Sequence, residues 1–174
     1  NMFQLFAYLL LYTGCRRGEA LALTWDDIDF DNNLIYINKQ LQFQSNKPVI
    51  ENFTKSKAGI RTVPMLENLR AALLPFKKNS GYVFSVNRNL LTSKQFRDGW
   101  KSLGFSSTPH QFRHAYATTL YNAKIDAKTA QSLLGHSSVS VTLDVYTHIS
   151  KNVANSAKEQ LNNYISQSKI SQKS

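Results

Sequence analysis

Cysteine is nearly absent from this 174-residue chain. Cys15 stands alone, which excludes an intramolecular disulfide framework and a Cys-rich zinc site. One thiol fits a reducing compartment, so the expectation is a cytoplasmic protein. Long hydrophobic runs are missing too. The most apolar stretch, 2–12, falls far short of the roughly 20 residues that a membrane span needs, and its flanks lack the pattern of a signal peptide. It reads as a buried core helix. Its pattern starts at residue 2 with no evident N-cap or preceding turn, which predicts that the chain is the C-terminal piece of a longer protein. Metal-ligand spacing is also absent: four His and scattered acids form no His/carboxylate cluster, so no metal and no cofactor is expected.

Acidic residues are scarce. Eleven Asp and Glu face 21 Lys and Arg, a net charge of +10. Asp26, Asp27, Asp29 and Asp31 crowd four of those acids into one short stretch, leaving the remainder more basic still. With 42% apolar residues the chain has a folding composition, so the charge sits on a folded surface rather than a disordered tail. Such a surface favours a polyanion, either nucleic acid or an anionic membrane, with solubility charge as the plain alternative.

Apolar residues recur at helical spacing over 2–12, and Thr13-Gly14 ends the pattern. A second helix runs from Arg17 to Leu23 and stops at Trp25-Asp26-Asp27. Alternation at 34–37 and at Leu41 and Phe43 predicts two short strands, and Arg61 to Pro64 a third beyond the lysine-containing loop 54–59. Helical patterns follow at 66–76, 92–103, 109–123, 127–134, 139–146 and 152–165, with Tyr82-Val83-Phe84 as a brief extended link. The expected fold class is α+β, one mainly helical domain with a small antiparallel β-sheet and a frayed tail. In the helix at 92–103, Lys94, Arg97 and Lys101 share one face opposite Phe96, Trp100 and Leu103. A cationic face can be DNA-facing or simply solvated.

Thr108-Pro109-His110-Gln111-Phe112-Arg113 opens a helix, with Thr108 as N-cap, Pro109 at its first position, and His110 and Arg113 three residues apart on one face. A helix start, a His and an Arg directed at one spot can grip a phosphate. Two unrelated surface residues would give the same pattern. Gly135 reads as a helix C-terminal residue that places His136 in a tight turn. Arg16 falls in the break between the first two helices, one turn before Glu19.

Taken together, Thr-Gly-Cys-Arg-Arg-Gly-Glu at 13–19, Leu-Thr-Trp-Asp-Asp-Ile-Asp at 23–29, Thr-Lys-Ser-Lys-Ala-Gly at 54–59, His-Gln-Phe-Arg-His-Ala-Tyr-Ala-Thr at 110–118, Leu-Leu-Gly-His-Ser-Ser at 133–138 and Asp-Val-Tyr-Thr-His at 144–148 resemble the tyrosine recombinase (phage integrase) family. The resemblance runs through nearly the whole chain. It implies the family's catalytic domain over 1–174, with 151–174 as C-terminal helix and tail and an N-terminal DNA-binding domain outside the chain. Arg16 and Arg113 would be the two catalytic arginines, Lys57 the lysine of the sheet loop, His110 and His136 the histidines, and Tyr146 the nucleophile. Lys55 is a near neighbour of Lys57, and the Ser-Lys-x-Gly pattern favours Lys57. Glu19 would orient Arg16 or cap its helix, while Lys94, Arg97, Lys101 and Lys55 would hold DNA backbone.

The implied activity is site-specific recombination, integrating or excising a phage or mobile element through a 3′-phosphotyrosyl intermediate. The residue types suit it, because tyrosine attack on a phosphodiester builds negative charge that two guanidinium forks can meet. The implied partner is a double-stranded DNA attachment site, on which a tetramer assembles through the C-terminal helix; free of DNA, this piece is expected to be monomeric. A type IB topoisomerase shares the chemistry, and a non-catalytic basic DNA-binding module shares the charge.

Overall fold

The computed structural model describes residues 1–53 and 59–171, with side chains through Ile165. Lys55 and Lys57 lie outside the described residues. The chain runs α1 (Met2–Thr13), α2 (Arg17–Ala22), a 3-10 turn (Trp25–Asp27), β1 (Ile28–Asp29), β2 (Leu34–Ile37), β3 (Lys39–Gln44), β4 (Lys47–Asn52) and β5 (Arg61–Pro64). It continues with α3 (Glu67–Leu73), a second 3-10 turn (Leu74–Phe76), β6 (Ser85–Val86), β7 (Asn89–Leu90), α4 (Ser93–Lys101), α5 (Pro109–Asn122), α6 (Ala127–Leu134) and α7 (Val139–Ser171). This is the expected α+β class, mainly helical with small antiparallel sheets.

Helix α1 is apolar nearly all round because it is enclosed nearly all round. Leu5, Phe6, Leu9 and Leu10 are buried in the main core. Phe6 sits at its centre, meeting Phe84 at 4.9 Å, Phe96 at 5.4 Å and Trp100 at 6.1 Å, all edge to face. Two residues depart from the pattern-based expectation. Asn1 does cap the helix, its Oδ1 accepting from the Phe3 amide at 2.9 Å. Tyr8, inside the 2–12 stretch that reads as a buried core helix, lies on the outer face and is half exposed.

From Ile28 to Pro64 the described strands form two sheets rather than one, and β6 pairs with β7 in a third, two-stranded one. In the first, β2 is central, pairing antiparallel with β1 and with β5, the latter from Leu34↔Pro64 to Ile37↔Arg61. The second is a separate β3–β4 hairpin. Its turn residues Ser45 and Asn46 both have positive φ, 47° and 70°, the geometry that matches strand twist in a two-residue hairpin. Strand β4 was not expected, because Pro48 interrupts its alternation. Arg17 joins the hairpin to α4, its guanidinium standing 5.6 Å from the Phe43 ring centre and 5.5 Å from that of Phe96.

A smaller second core gathers Tyr116, Ala117, Leu120, Ala130 and Leu134 from α5 and α6, with Val145 and Tyr146 of α7 packed against it. The two helices expected at 139–146 and 152–165 are one helix. No Gly or Pro interrupts the segment, and Thr142 and Ile149 both stay buried on the inward face, so the packing that holds the first turns also carries the helix onward. Beyond Ile149 the helix leaves the body, exposing Val153, Leu161, Tyr164 and Ile165. Among the described residues no helix is long and apolar enough to cross a membrane.

Candidate nucleic-acid active site

The two cores meet at the C-terminus of α1. Gly14 ends that helix in the left-handed conformation, φ 62°, its amide donating to the Leu10 carbonyl. A Cβ there would lie 2.3 Å from the Tyr116 ring, so glycine is needed both for the turn and for close approach of α5. The Gly14 carbonyl in turn accepts from Arg113 Nη1 at 2.6 Å. Arg113 is thereby fixed between the cores, buried, one turn into α5.

Around it opens a cleft of about 540 Å³ lined by Arg16, His110, Arg113 and His136, with Arg17 of α2 and with Gln40, Gln42 and Phe43 along the hairpin wall. Four of the residues singled out in the sequence, drawn from the α1–α2 break, α5 and the α6–α7 turn, thus meet at one place. Two others, Lys55 and Lys57, fall outside the described residues. Tyr146 does not line the cleft. Its hydroxyl donates to the Ile125 carbonyl at 3.1 Å, and its ring stands edge-on to Tyr121 at 5.2 Å. Lys94, Arg97 and Lys101 are exposed on α4, with Lys94 3.2 Å from Asp98, while Phe96 and Trp100 face inward.

Glu19 is the buried acid beneath the cleft. Its oxygens accept from the Arg16 amide and Nη1, both at 2.8 Å, and from Arg61 Nη2 at 2.7 Å and Nη1 at 3.1 Å. Burial alone would push its carboxyl up, but the hydrogen bonds and charge of Arg61, followed by those of Arg16, outweigh it and hold the group below its ordinary value. Arg16 Nη2 reaches on to the Gly135 carbonyl at 2.9 Å.

Two guanidiniums, Arg16 and Arg61, therefore share one carboxylate, and with Arg113 beside them the excess is positive. Burial and then the neighbouring charge of Arg16 bring Arg113 down to about 10, still a cation at neutral pH. Its Nη2 is buried with no hydrogen-bond partner among the described residues, and a buried unpaired donor of this kind is costly unless a further group accepts from it. His136 is pushed down to about 4 by burial and by the charges of Arg113, Arg16 and Arg61, so its ring is neutral at pH 7. Its Nδ1 meets Thr142 Oγ1 at 2.9 Å. When that hydroxyl donates, the ring proton lies on Nε2, which is left free to donate. Cationic groups of this number and geometry suit an anion with several oxygens, such as a phosphodiester.

Arg61 is the residue that sequence reading missed. It passes for an ordinary strand residue, yet it shares a face of β5 with the buried Val63, and an arginine at a core-facing strand position needs a carboxylate partner. No group of three His, Cys, Asp or Glu side chains among the described residues is placed to hold a metal ion.

A family model described as "Phage integrase family" matches residues 3–153. The chain belongs to the phage integrase family. Relatives in this family include a tyrosine recombinase XerC-like protein of Caldanaerobacter subterraneus subsp. tengcongensis, 32% identical over 187 residues that cover 89% of this chain and 48% of the relative. The transposase from transposon Tn916 of Enterococcus faecalis is 29% identical, with 88% and 44% covered. The Tn1549 transposon integrase, solved in complex with circular intermediate DNA, shares the fold with a TM-score of 0.70 at 27% identity, covering 89% of this chain and 58% of that one. The chain thus spans about half the length of the phage integrase family relatives it matches.

Proposed function

We propose that this chain is the catalytic domain, 1–174, of a site-specific DNA recombinase that integrates or excises a mobile element, acting in the cytoplasm on a host chromosome. The observation that carries the proposal is the cleft where Arg16, Arg113, His110 and His136 converge with a surplus of positive charge and a buried guanidinium nitrogen that has no partner among the described residues. Relatives named recombinase and transposase support strand exchange over relaxation of one duplex by a type IB topoisomerase.

The scissile phosphate would sit between the Arg16 and Arg113 guanidiniums, with His136 Nε2 donating to a non-bridging oxygen. The Tyr146 hydroxyl attacks phosphorus, His110 takes the phenolic proton, and the bond to the 5′-oxygen breaks. Lys57 supplies the proton that the leaving oxygen gains. The product is a 3′-phosphotyrosyl link and a free 5′-hydroxyl, so the phosphodiester energy is retained for rejoining. Before this, Tyr146 must release the Ile125 carbonyl. Burial and then the charge of Asp126 raise its pKa where it now rests, so in that position it stays a phenol and a poor nucleophile.

The exposed apolar residues Val153, Leu161, Tyr164 and Ile165 of α7 support assembly on DNA, as a tetramer, through a helix seated on a neighbouring copy. Exposed Lys94, Arg97 and Lys101 would hold duplex backbone, giving a strongly salt-dependent affinity. The test is incubation with a nicked attachment-site duplex, followed by a denaturing gel. Wild type should trap DNA covalently and Tyr146→Phe should not; equal trapping by the variant removes Tyr146 as nucleophile.

A further inference from the structure

Arg61 Nε donates to the Leu133 carbonyl at 2.8 Å, while Nη1 and Nη2 fork onto the two oxygens of Glu19 and Nη1 also reaches the Gly59 carbonyl at 3.2 Å. Glu19 holds Arg16, and Arg16 holds the Gly135 carbonyl. These bonds close a circuit: β5 to α2, α2 to the α6–α7 turn, and through Leu133 back to β5. The residue that follows Gly135 is His136. Gly135 itself, at φ +65°, lies so close that a Cβ would fall 2.7 Å from Arg61 Nη1, so the turn and the guanidinium are packed as one piece.

We infer that Arg61 is a positioning residue of the anion site, one that sets where the Arg16 guanidinium and the His136 turn stand and keeps Glu19 from neutralising Arg16. The inference deepens the DNA-cleavage reading above and rests on it for substrate class. Its physical content lies in charge and geometry together. A carboxylate shared by two guanidiniums leaves one positive charge over, and that surplus, with Arg113, faces the cleft. Without Arg61, Glu19 pairs wholly with Arg16 and draws it inward. The carbonyl of Leu133 loses its anchor at the same time, and the turn carrying His136 is released.

Arg61 is not a catalytic residue, because its own nitrogens are occupied by protein acceptors and its side chain is only 5% exposed. A lysine in its place keeps the charge but has no fork with which to reach Glu19 and Leu133 together. A glutamine removes the charge and leaves Glu19 to Arg16.

The test compares wild type with R61K, R61Q, E19Q and the R61Q/E19Q double variant, using the whole chain. Inorganic phosphate is titrated in, and the His136 ring and arginine Nε resonances are followed by NMR. R61Q should bind phosphate about 10- to 100-fold more weakly, a range taken from metal ligands that lose an outer partner, with R61K in between. The double variant should recover part of the loss, because an uncharged residue 19 no longer neutralises Arg16. It also strands no buried charge, so it stays informative if R61Q alone does not fold. On a nicked duplex, at a temperature where the variants are folded, R61Q should slow single-turnover covalent trapping while DNA affinity changes little; its melting temperature should fall because Glu19 stays buried with one partner fewer, and the double variant should regain part of both losses.

Phosphate binding by R61Q equal to wild type overturns the inference. So does a double variant weaker than R61Q, or losses of melting temperature and DNA affinity that account for the whole effect. If wild type binds phosphate and never traps DNA, the recombinase reading fails, and the phosphate titration alone decides the role of Arg61.

Discussion

Replacing Glu19 with alanine removes the only acid in the circuit and strands the arginines that it holds. Arg16 is 44% exposed at its side chain, so water takes over its half of the loss and the cost there is small. Arg61 is 5% exposed and has no such recourse. It keeps the Leu133 and Gly59 carbonyls but loses both bonds to carboxylate. Breaking a buried pair from one side costs about 3–5 kcal/mol, and at about 2–4 °C per kcal/mol for a chain of this size the melting temperature should fall by about 6–20 °C.

Urea denaturation with an unchanged slope would give the free energy directly. Glu19→Ala combined with Arg61→Met should restore most of the stability, since a buried pair removed from both sides costs little. The pH dependence follows from the carboxyl being held below its ordinary 4.5 in the folded chain. Its contribution is present above the unfolded value and is lost as pH falls through the lower folded one. The variant should therefore show a flatter decline of stability below about pH 4.5. A loss under about 1 kcal/mol, with the acid decline intact, would refute the assignment of Glu19 as the buried counter-charge.

Tyr121→Ala removes the edge-to-face partner of Tyr146, a contact worth about 0.5–1.5 kcal/mol, so if release of Tyr146 precedes attack, covalent trapping should quicken by about 2- to 12-fold; an unchanged or slower rate speaks against that order of events. His136, with a pKa near 4, should titrate by NMR well below 6.5 in the free protein and move upward when phosphate binds; its stability contribution is lost as pH falls from about 6.5 toward the folded value, and a midpoint at 6.5 would contradict the burial and charge described. Phe6→Ala should cost about 3–5 kcal/mol in denaturation, as for other large core aromatics, and a value below 1.5 would mean that the aromatic cluster collapses to fill the gap. Gly135→Ala combines a left-handed backbone with a 2.7 Å approach to Arg61, so it should weaken phosphate binding as well as stability, and normal binding would separate the turn from the site.

Much of the fold was legible because its signals are local. Gly14 and Gly135 end helices in the left-handed region, and Asp126, accepting from the Lys128 and Thr129 amides, starts α6 where its pattern begins. The features that were not legible depend on partners distant in sequence. Strand β4 is held by β3 despite Pro48, and α7 continues past Tyr146 because Ile149 finds a buried place that no local rule announces. Within the site, the resemblance to the tyrosine recombinase family, rather than any one segment, brought Arg16, His110, Arg113 and His136 together as candidates. It could not show that Tyr146 rests on Ile125, 21 residues away in the chain, nor that Arg61 needs Glu19, 42 residues away.

The unbroken course of α7 has a mechanical consequence. Thr142, which holds His136, Tyr146, and the exposed apolar end at 153–165 lie on one rod, and from Tyr146 to Ile165 that rod is about 29 Å long at 1.5 Å per residue. A helix is stiff along its axis, so beyond the reach of its own side-chain rotations Tyr146 cannot travel alone. Either a turn of α7 melts, giving up its backbone bonds, or the rod tilts as a whole and its far end sweeps through an arc. Force applied near Tyr164 thus has leverage on the phenolic oxygen, and under the proposed role of Tyr146 whatever grips that end would also set the distance at which chemistry can begin.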